Sequence, residues 1–160
     1  MVVQLLNIAC ELENVQHLRI PEDHEFVLDI EVGPGEIRRG VIFSRENQVD
    51  IPSSRGTANL VLKIDKNSFA SLSVCDLPKT IRPELCASDS EKLVPILAIE
   101  CRGCEVKAWK PTGFYVAQST QGAIFEEVDL STGEWYDVDA EANEPVSITN
   151  VRTSIEPHRK

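Results

Sequence analysis

An all-β fold, sandwich-like or barrel-like, follows from three features of the sequence. Short segments of alternating or continuous apolar residues recur along the whole chain, divided by Pro and Gly signals. No segment carries the apolar stripe of an amphipathic helix across several turns. The chain also repeats itself: Cys10, Val15, Leu18 and Pro21 recur in order as Cys101, Val106, Trp109 and Pro111, and Val41-Ile42-Phe43 as Ala123-Ile124-Phe125. Two degenerate copies spaced by about 90 residues point to duplication, not to a solenoid. We expect two related β halves docked into one compact unit: an N-terminal half over 1–75, a linker over 76–93, a C-terminal half over 94–155 and a tail over 156–160.

The elements are predicted in order. Residues 2–12 open with an apolar run and read as a strand, and the polar stretch Asn14 to Glu25, broken by Ile20-Pro21, as a loop or wide turn. Glu25 to Val32 is a clear strand: Phe26, Leu28, Ile30 and Val32 share one face, with Asp29 and Glu31 opposite. Gly33-Pro34-Gly35 is a turn, and Glu36 to Ser44 resumes an extended pattern. Residues 46–56 form a loop. Asn59–Ile64 and Ser68–Val74 make a hairpin around Asp65-Lys66-Asn67. Prolines 78 and 83 mark the linker. Lys92–Cys101, Gly113–Gln118, Ala123–Leu130, Glu134–Asp139 and Pro145–Val151 are the strands of the second half, and the tail from Pro157 is expected to fray.

Composition narrows the function classes. A net charge of −10 argues against nucleic acid, whose phosphates require clustered Lys and Arg, and against anionic membrane surfaces. No apolar run approaches the length of a membrane-spanning helix. Five cysteines at irregular spacing (Cys10, Cys75, Cys86, Cys101, Cys104), without a positively charged leader, predict reduced thiols in a cytoplasmic protein, with the nucleus as the other compartment.

Three stretches resemble a known family: Arg55-Gly-Thr-Ala-Asn-Leu-Val-Leu-Lys63; Glu100-Cys-Arg-Gly103 with Trp109-Lys-Pro-Thr-Gly-Phe114; and Trp135-Tyr-Asp-Val-Asp139 with Glu144-Pro-Val-Ser-Ile148. The chain is similar there to the eukaryotic CXXC-motif-containing zinc-binding proteins, long catalogued as a domain of unknown function. The resemblance implies an all-β fold of two related halves and a zinc ion held in the first half by two CxxC pairs. The first pair belongs in the turn that here reads Glu31-Val-Gly-Pro34, and the second in the stretch Lys63-Ile-Asp-Lys-Asn67. Neither contains a cysteine, so the chain is expected to be a divergent member that lacks all four ligands, with no zinc cofactor.

Cys101-Arg-Gly-Cys104 is half of a structural zinc site and would need other thiols to complete it; Cys10, its counterpart in the repeat, is one candidate. The competing interpretation packs these cysteines as small hydrophobes. A thiol oxidoreductase is disfavoured, since the pair follows a strand and Glu105 would raise a thiol pKa. His17 and His24 could share a metal with Glu22, Asp23 or Glu25, against the plainer expectation of a solvated acidic loop. Between residues 126 and 144 there is no Lys or Arg, and Trp135, Tyr136, Asp137 and Asp139 are candidates for a docking surface facing a basic protein partner. The leading expectation is a monomeric, non-enzymatic binding or adaptor protein without nucleic-acid or membrane partners; the alternative is a metal-binding protein that uses Cys101 and Cys104.

Overall fold

A computed structural model of the chain describes residues 2–52 and 54–158. The protein is all-β, with one short 3-10 turn at Ala87–Asp89. In chain order the strands are β1 (Val2–Glu13), β2 (Val15–Arg19), β3 (Glu25–Gly33), β4 (Glu36–Ser44), β5 (Val49–Asp50), β6 (Thr57–Ala58), β7 (Leu60–Lys63) and β8 (Phe69–Val74). They continue as β9 (Glu84–Cys86), β10 (Val94–Arg102), β11 (Glu105–Lys110), β12 (Phe114–Ser119), β13 (Ile124–Asp129), β14 (Trp135–Asp139) and β15 (Glu144–Pro157).

The largest sheet runs β14-β15-β1-β10-β8-β7; the others run β11-β3-β4, β13-β12-β2-β9 and β5-β6. These orders are symmetric. Exchanging β1 with β10, β8 with β15 and β7 with β14 returns the large sheet to itself. Exchanging β2 with β11, β3 with β12 and β4 with β13 turns β11-β3-β4 into β2-β12-β13, which leaves β9 and the β5-β6 pair without counterparts. The centre of this relation lies at Leu6, which faces Leu97 across the β1–β10 ladder. Strands from both sides of the linker are therefore interleaved. β10 pairs with β8 and β15 with β1, while β11 pairs with β3 and β2 with β12.

One continuous core joins the large sheet to the β3-containing and β12-containing sheets. Phe26, Leu28, Ile30 and Val32 are all buried, as their alternation predicts. So are the repeated positions Cys10, Val15 and Leu18 and their counterparts Cys101, Val106 and Trp109. Two long side chains bind the layers together. Gln4, buried on β1, donates to the Val106 carbonyl and accepts from the Val106 N–H, each at 2.8 Å. Trp109 donates its indole N–H to the carbonyls of Asn7 at 3.1 Å and Ser154 at 3.2 Å.

Five expectations change. The expected loop over 46–56 contains β5, which pairs with β6. Val15–Arg19, expected as loop, is β2, because Leu18 and Val15 anchor it while Gln16 and Arg19 face out. The linker contains β9, which pairs with β2. Glu105–Lys110 is also a strand; a bulge between Val106 and Ala108 breaks its alternation, leaving Val106 and Trp109 both inward. Finally, β15 runs on through Pro157, opposite Gln4, and the His158 N–H reaches the Val3 carbonyl at 2.9 Å. Residues 159 and 160 of the expected tail lie outside the described residues.

Candidate functional site

Three places bear on function: the hairpin turns of the first half, the Cys101–Cys104 pair and the acidic face around β14. The β3–β4 turn is Gly33-Pro34-Gly35, with Gly35 at φ 78°, a left-handed conformation that glycine adopts without penalty. Pro34 is exposed and Glu31 half-buried. The β7–β8 turn closes on itself. Ile64 N–H donates to the Ser68 carbonyl at 2.9 Å, and Asn67 N–H donates to Asp65 Oδ1 at 2.9 Å. The bond from Asn67 holds the Asp65 carboxyl below its ordinary pKa. Neither turn offers a thiol or imidazole, so the donors present do not fit a tetrahedral structural zinc site.

The symmetry of the sheets gives both turns a counterpart in the second half, the β12–β13 and β14–β15 turns. There the link is visible. Ser119 donates from Oγ to Asp139 Oδ2 at 2.7 Å, and both residues are buried. The same Ser119 oxygen accepts the Ala123 N–H at 2.9 Å, and Thr120 Oγ1 lies 3.3 Å from Glu144 Oε1.

Cys101 and Cys104 flank the β10–β11 turn, where Gly103 at φ 74° packs against Phe69 and Ala70. Cys101 is buried, with Sγ 3.6 Å from Gln4 Oε1; the Cys104 Sγ lies 4.0 Å from the Ser71 carbonyl. The hydrogen bond between the two thiols, together with burial, pushes Cys101 far up the pH scale, while the same bond draws Cys104 down against the effect of its burial. Cys10 does not join them. Cys101 faces Val2 in the β1–β10 ladder, which leaves Cys10 eight residues away along β1, roughly 26 Å at strand rise. Burial pushes the Cys10 thiol up to about 12.

His24 also departs from expectation. It is 4% exposed, not solvated, and its ring meets Tyr115 at 4.6 Å and Phe26 at 4.8 Å between centroids. Its Nδ1 is 3.3 Å from the Phe114 carbonyl, and burial lowers its pKa. It is a core residue and is not paired with His17. The contact between the His24 and Tyr115 rings, 91 residues apart, left no local signal in the sequence.

The acidic face divides by strand period. Trp135, Asp137 and Asp139 lie on one face of β14, and Tyr136 and Val138 on the other. Trp135 stacks edge-on against Phe125 at 5.3 Å, and a groove runs between them, rimmed by Ile124, Glu126, Glu127 and Asp137. Tyr136 is 64% exposed on the opposite face, its hydroxyl 3.2 Å from Glu134 Oε2. Asp139 was expected on the docking surface; at 3% exposure and bound to Ser119, it is a structural residue instead. Glu126, which sequence reasoning placed only within the acidic run, shares the groove with Trp135.

Comparison with known proteins places this geometry. Residues 5–156 match the family described as CXXC motif containing zinc binding protein, eukaryotic. A UPF0587 protein of Schizosaccharomyces pombe is 33% identical over 155 residues, covering 94% of this chain and 95% of its own. One from Caenorhabditis elegans is 29% identical, covering 94% and 92%. Among solved structures, C1orf123 superposes with a TM-score of 0.85 at 27% identity, over 98% of this chain and 99% of its own. A hypothetical protein from Plasmodium falciparum reaches 0.89 at 23% identity, covering 98% and 100%, which speaks for the fold alone.

Proposed function

The chain belongs to the eukaryotic CXXC motif containing zinc binding protein family, and from that membership we propose that it is a non-enzymatic binding protein whose zinc site has been lost. The observation that carries this is the donor chemistry of the two first-half turns. Glu31-Val-Gly-Pro34 and Lys63-Ile-Asp-Lys-Asn67 contain no cysteine or histidine, and all five thiols lie elsewhere. Apolar packing takes over the metal's structural contribution. Val32 is buried, and Leu62 and Ile64 pack on the core from the β7 side; Ile37, on β4, is 39% exposed and takes no part. Cys101 and His24 are turned inward, Cys101 beside Gln4 and His24 enclosed by rings.

The binding face is the groove between β13 and β14. Its apolar floor, Phe125 against Trp135, sits among Glu126, Glu127 and Asp137, a combination suited to a basic segment that carries one apolar anchor. The test is titration with Lys/Arg-rich and Glu/Asp-rich peptides that each carry a Leu anchor, followed by tryptophan fluorescence. The basic peptides should bind with salt-dependent affinity, and Asp137→Lys should abolish binding. Equal affinity for both peptide classes, or undiminished binding by Asp137→Lys, would overturn this assignment.

A further inference from the structure

His17, Glu84 and Cys86 form a second, unrelated donor cluster on the outer face of the β13-β12-β2-β9 sheet. The β2–β9 ladder sets His17 opposite Cys86, Leu18 opposite Leu85 and Arg19 opposite Glu84. Leu18 and Leu85 are fully buried, so the period of the strands turns His17, Glu84 and Cys86 to the other side. One nitrogen, one carboxylate oxygen and one sulfur there lie within 4.8 Å of one another, and among the described residues no other three His, Cys, Asp or Glu donors do so.

The local frame is fixed. The Cys86 N–H donates to Asp89 Oδ2 at 2.8 Å, and Arg82 donates to Asp89 Oδ1 at 2.7 Å. Arg82 N–H reaches the Pro95 carbonyl at 3.0 Å, and Ile20 N–H the Pro83 carbonyl at 3.3 Å, tying both flanks of β9 to the body of the fold. His17 Nδ1 is shielded from solvent and has no aligned hydrogen-bond partner; Glu84 Oε1 approaches it at 3.3 Å without hydrogen-bond geometry. A shielded nitrogen of this kind calls for either a proton held by Glu84 or a metal ion.

We propose that His17, Cys86 and Glu84 bind a borderline divalent cation of the zinc type, with a fourth position open to solvent. The donor set decides the ion. A thiolate with an imidazole selects zinc-like metals over calcium or magnesium, which take oxygen alone. Three protein ligands leave one coordination position for water or an external ligand, and a small cavity lined by His17, Glu84, Gln118 and Glu126 adjoins it. Binding transfers the Cys86 S–H proton to solvent and uses the neutral Nδ1 lone pair. Two cations share the neighbourhood: Arg19 stands opposite Glu84, and Arg82 interacts with Cys86 as well as Asp89. This site is independent of the first-half turns and does not rest on the loss of zinc there.

Cobalt(II) is the probe, added to metal-free full-length protein. The wild type should bind one equivalent, with visible d–d bands and a near-ultraviolet thiolate-to-cobalt band, and zinc should bleach both. Cys86→Ser should remove the thiolate band. His17→Ala should weaken binding at least about tenfold, as ligand-shell losses do. Cys104→Ser should leave the spectrum unchanged. All three substitutions fall outside the fully buried core, and circular dichroism establishes that each variant is folded; if Cys86→Ser is not, His17→Ala carries the test alone. No thiolate band in the wild type, a band that survives Cys86→Ser, undiminished affinity in His17→Ala, or loss of the band in Cys104→Ser would each overturn the assignment.

Discussion

Ser119 and Asp139 meet at the far end of the second half, hydroxyl to carboxylate at 2.7 Å, both out of reach of solvent. They join the β12–β13 turn to the end of β14. By the symmetry of the sheets, that is the counterpart of the β3–β4 and β7–β8 turns of the first half. Side-chain hydrogen bonds thus tie together the two hairpins of the second half.

Ser119→Ala should therefore be costly for so small a change. It removes the bond to Asp139, leaves that buried carboxylate with the Ala142 N–H alone, and takes an acceptor from the Ala123 N–H. The expected loss is about 1–3 kcal/mol in urea unfolding. Asp139→Asn, which still accepts from Ser119, should lose less.

Trp109→Phe separates packing from hydrogen bonding. The ring volume largely remains, while the Asn7 and Ser154 carbonyls lose their shared donor. We expect a loss of about 1–2 kcal/mol, with the fluorescence of Trp135 unchanged in the folded protein.

Much of this frame is legible in the sequence, and the reasons are local. β3 alternates without interruption, so its inward residues are plain from Phe26 to Val32. All six positions of the Cys, Val, large-apolar repeat are buried, yet Val15 and Leu18 read in the sequence as part of a polar loop. β11 was hidden by its bulge, and β9 by being three residues long in a proline-marked stretch. The interleaving of strands was not legible, since no local pattern states which half a strand will pair with. For the same reason Asp139 read as one more surface carboxylate, and the approach of His17 to Glu84 and Cys86 across two distant strands had no spacing signature.

The thiols give a pH prediction. The Cys10 pKa is raised from 9.0 to about 12 by burial, and burial raises Tyr115 as well. Below pH 9 the stabilisation is intact, because native and unfolded thiols are both protonated. Above it, the unfolded chain releases a proton that the native state retains, so stability falls as pH rises toward 12. The slope should be about 1.4 kcal/mol per pH unit for each group. Cys10→Ala should flatten the alkaline limb of stability against pH. At neutral pH, alkylation read by mass spectrometry should mark Cys75, Cys86 and Cys104 before Cys10 and Cys101, whose reaction should await unfolding.

If packing stands in for a metal in the first half, costs within one hairpin are unequal. Val32→Ala, in the core, should destabilise by about 1–3 kcal/mol, whereas Ile37→Ala, on the exposed strand, should change stability by less than about 0.5 kcal/mol. Similar losses at both positions would show that the core does not stop at Val32.

The most direct measurement is amide hydrogen exchange in the β3–β4 and β7–β8 turns, with and without a strong chelator. If apolar packing and local hydrogen bonds hold the first half, exchange across residues 31–36 and 63–68 will be the same in both conditions. Faster exchange of those two turns on chelation, with the rest of the large sheet unchanged, would mean that a metal holds them and would contradict the loss of the zinc site.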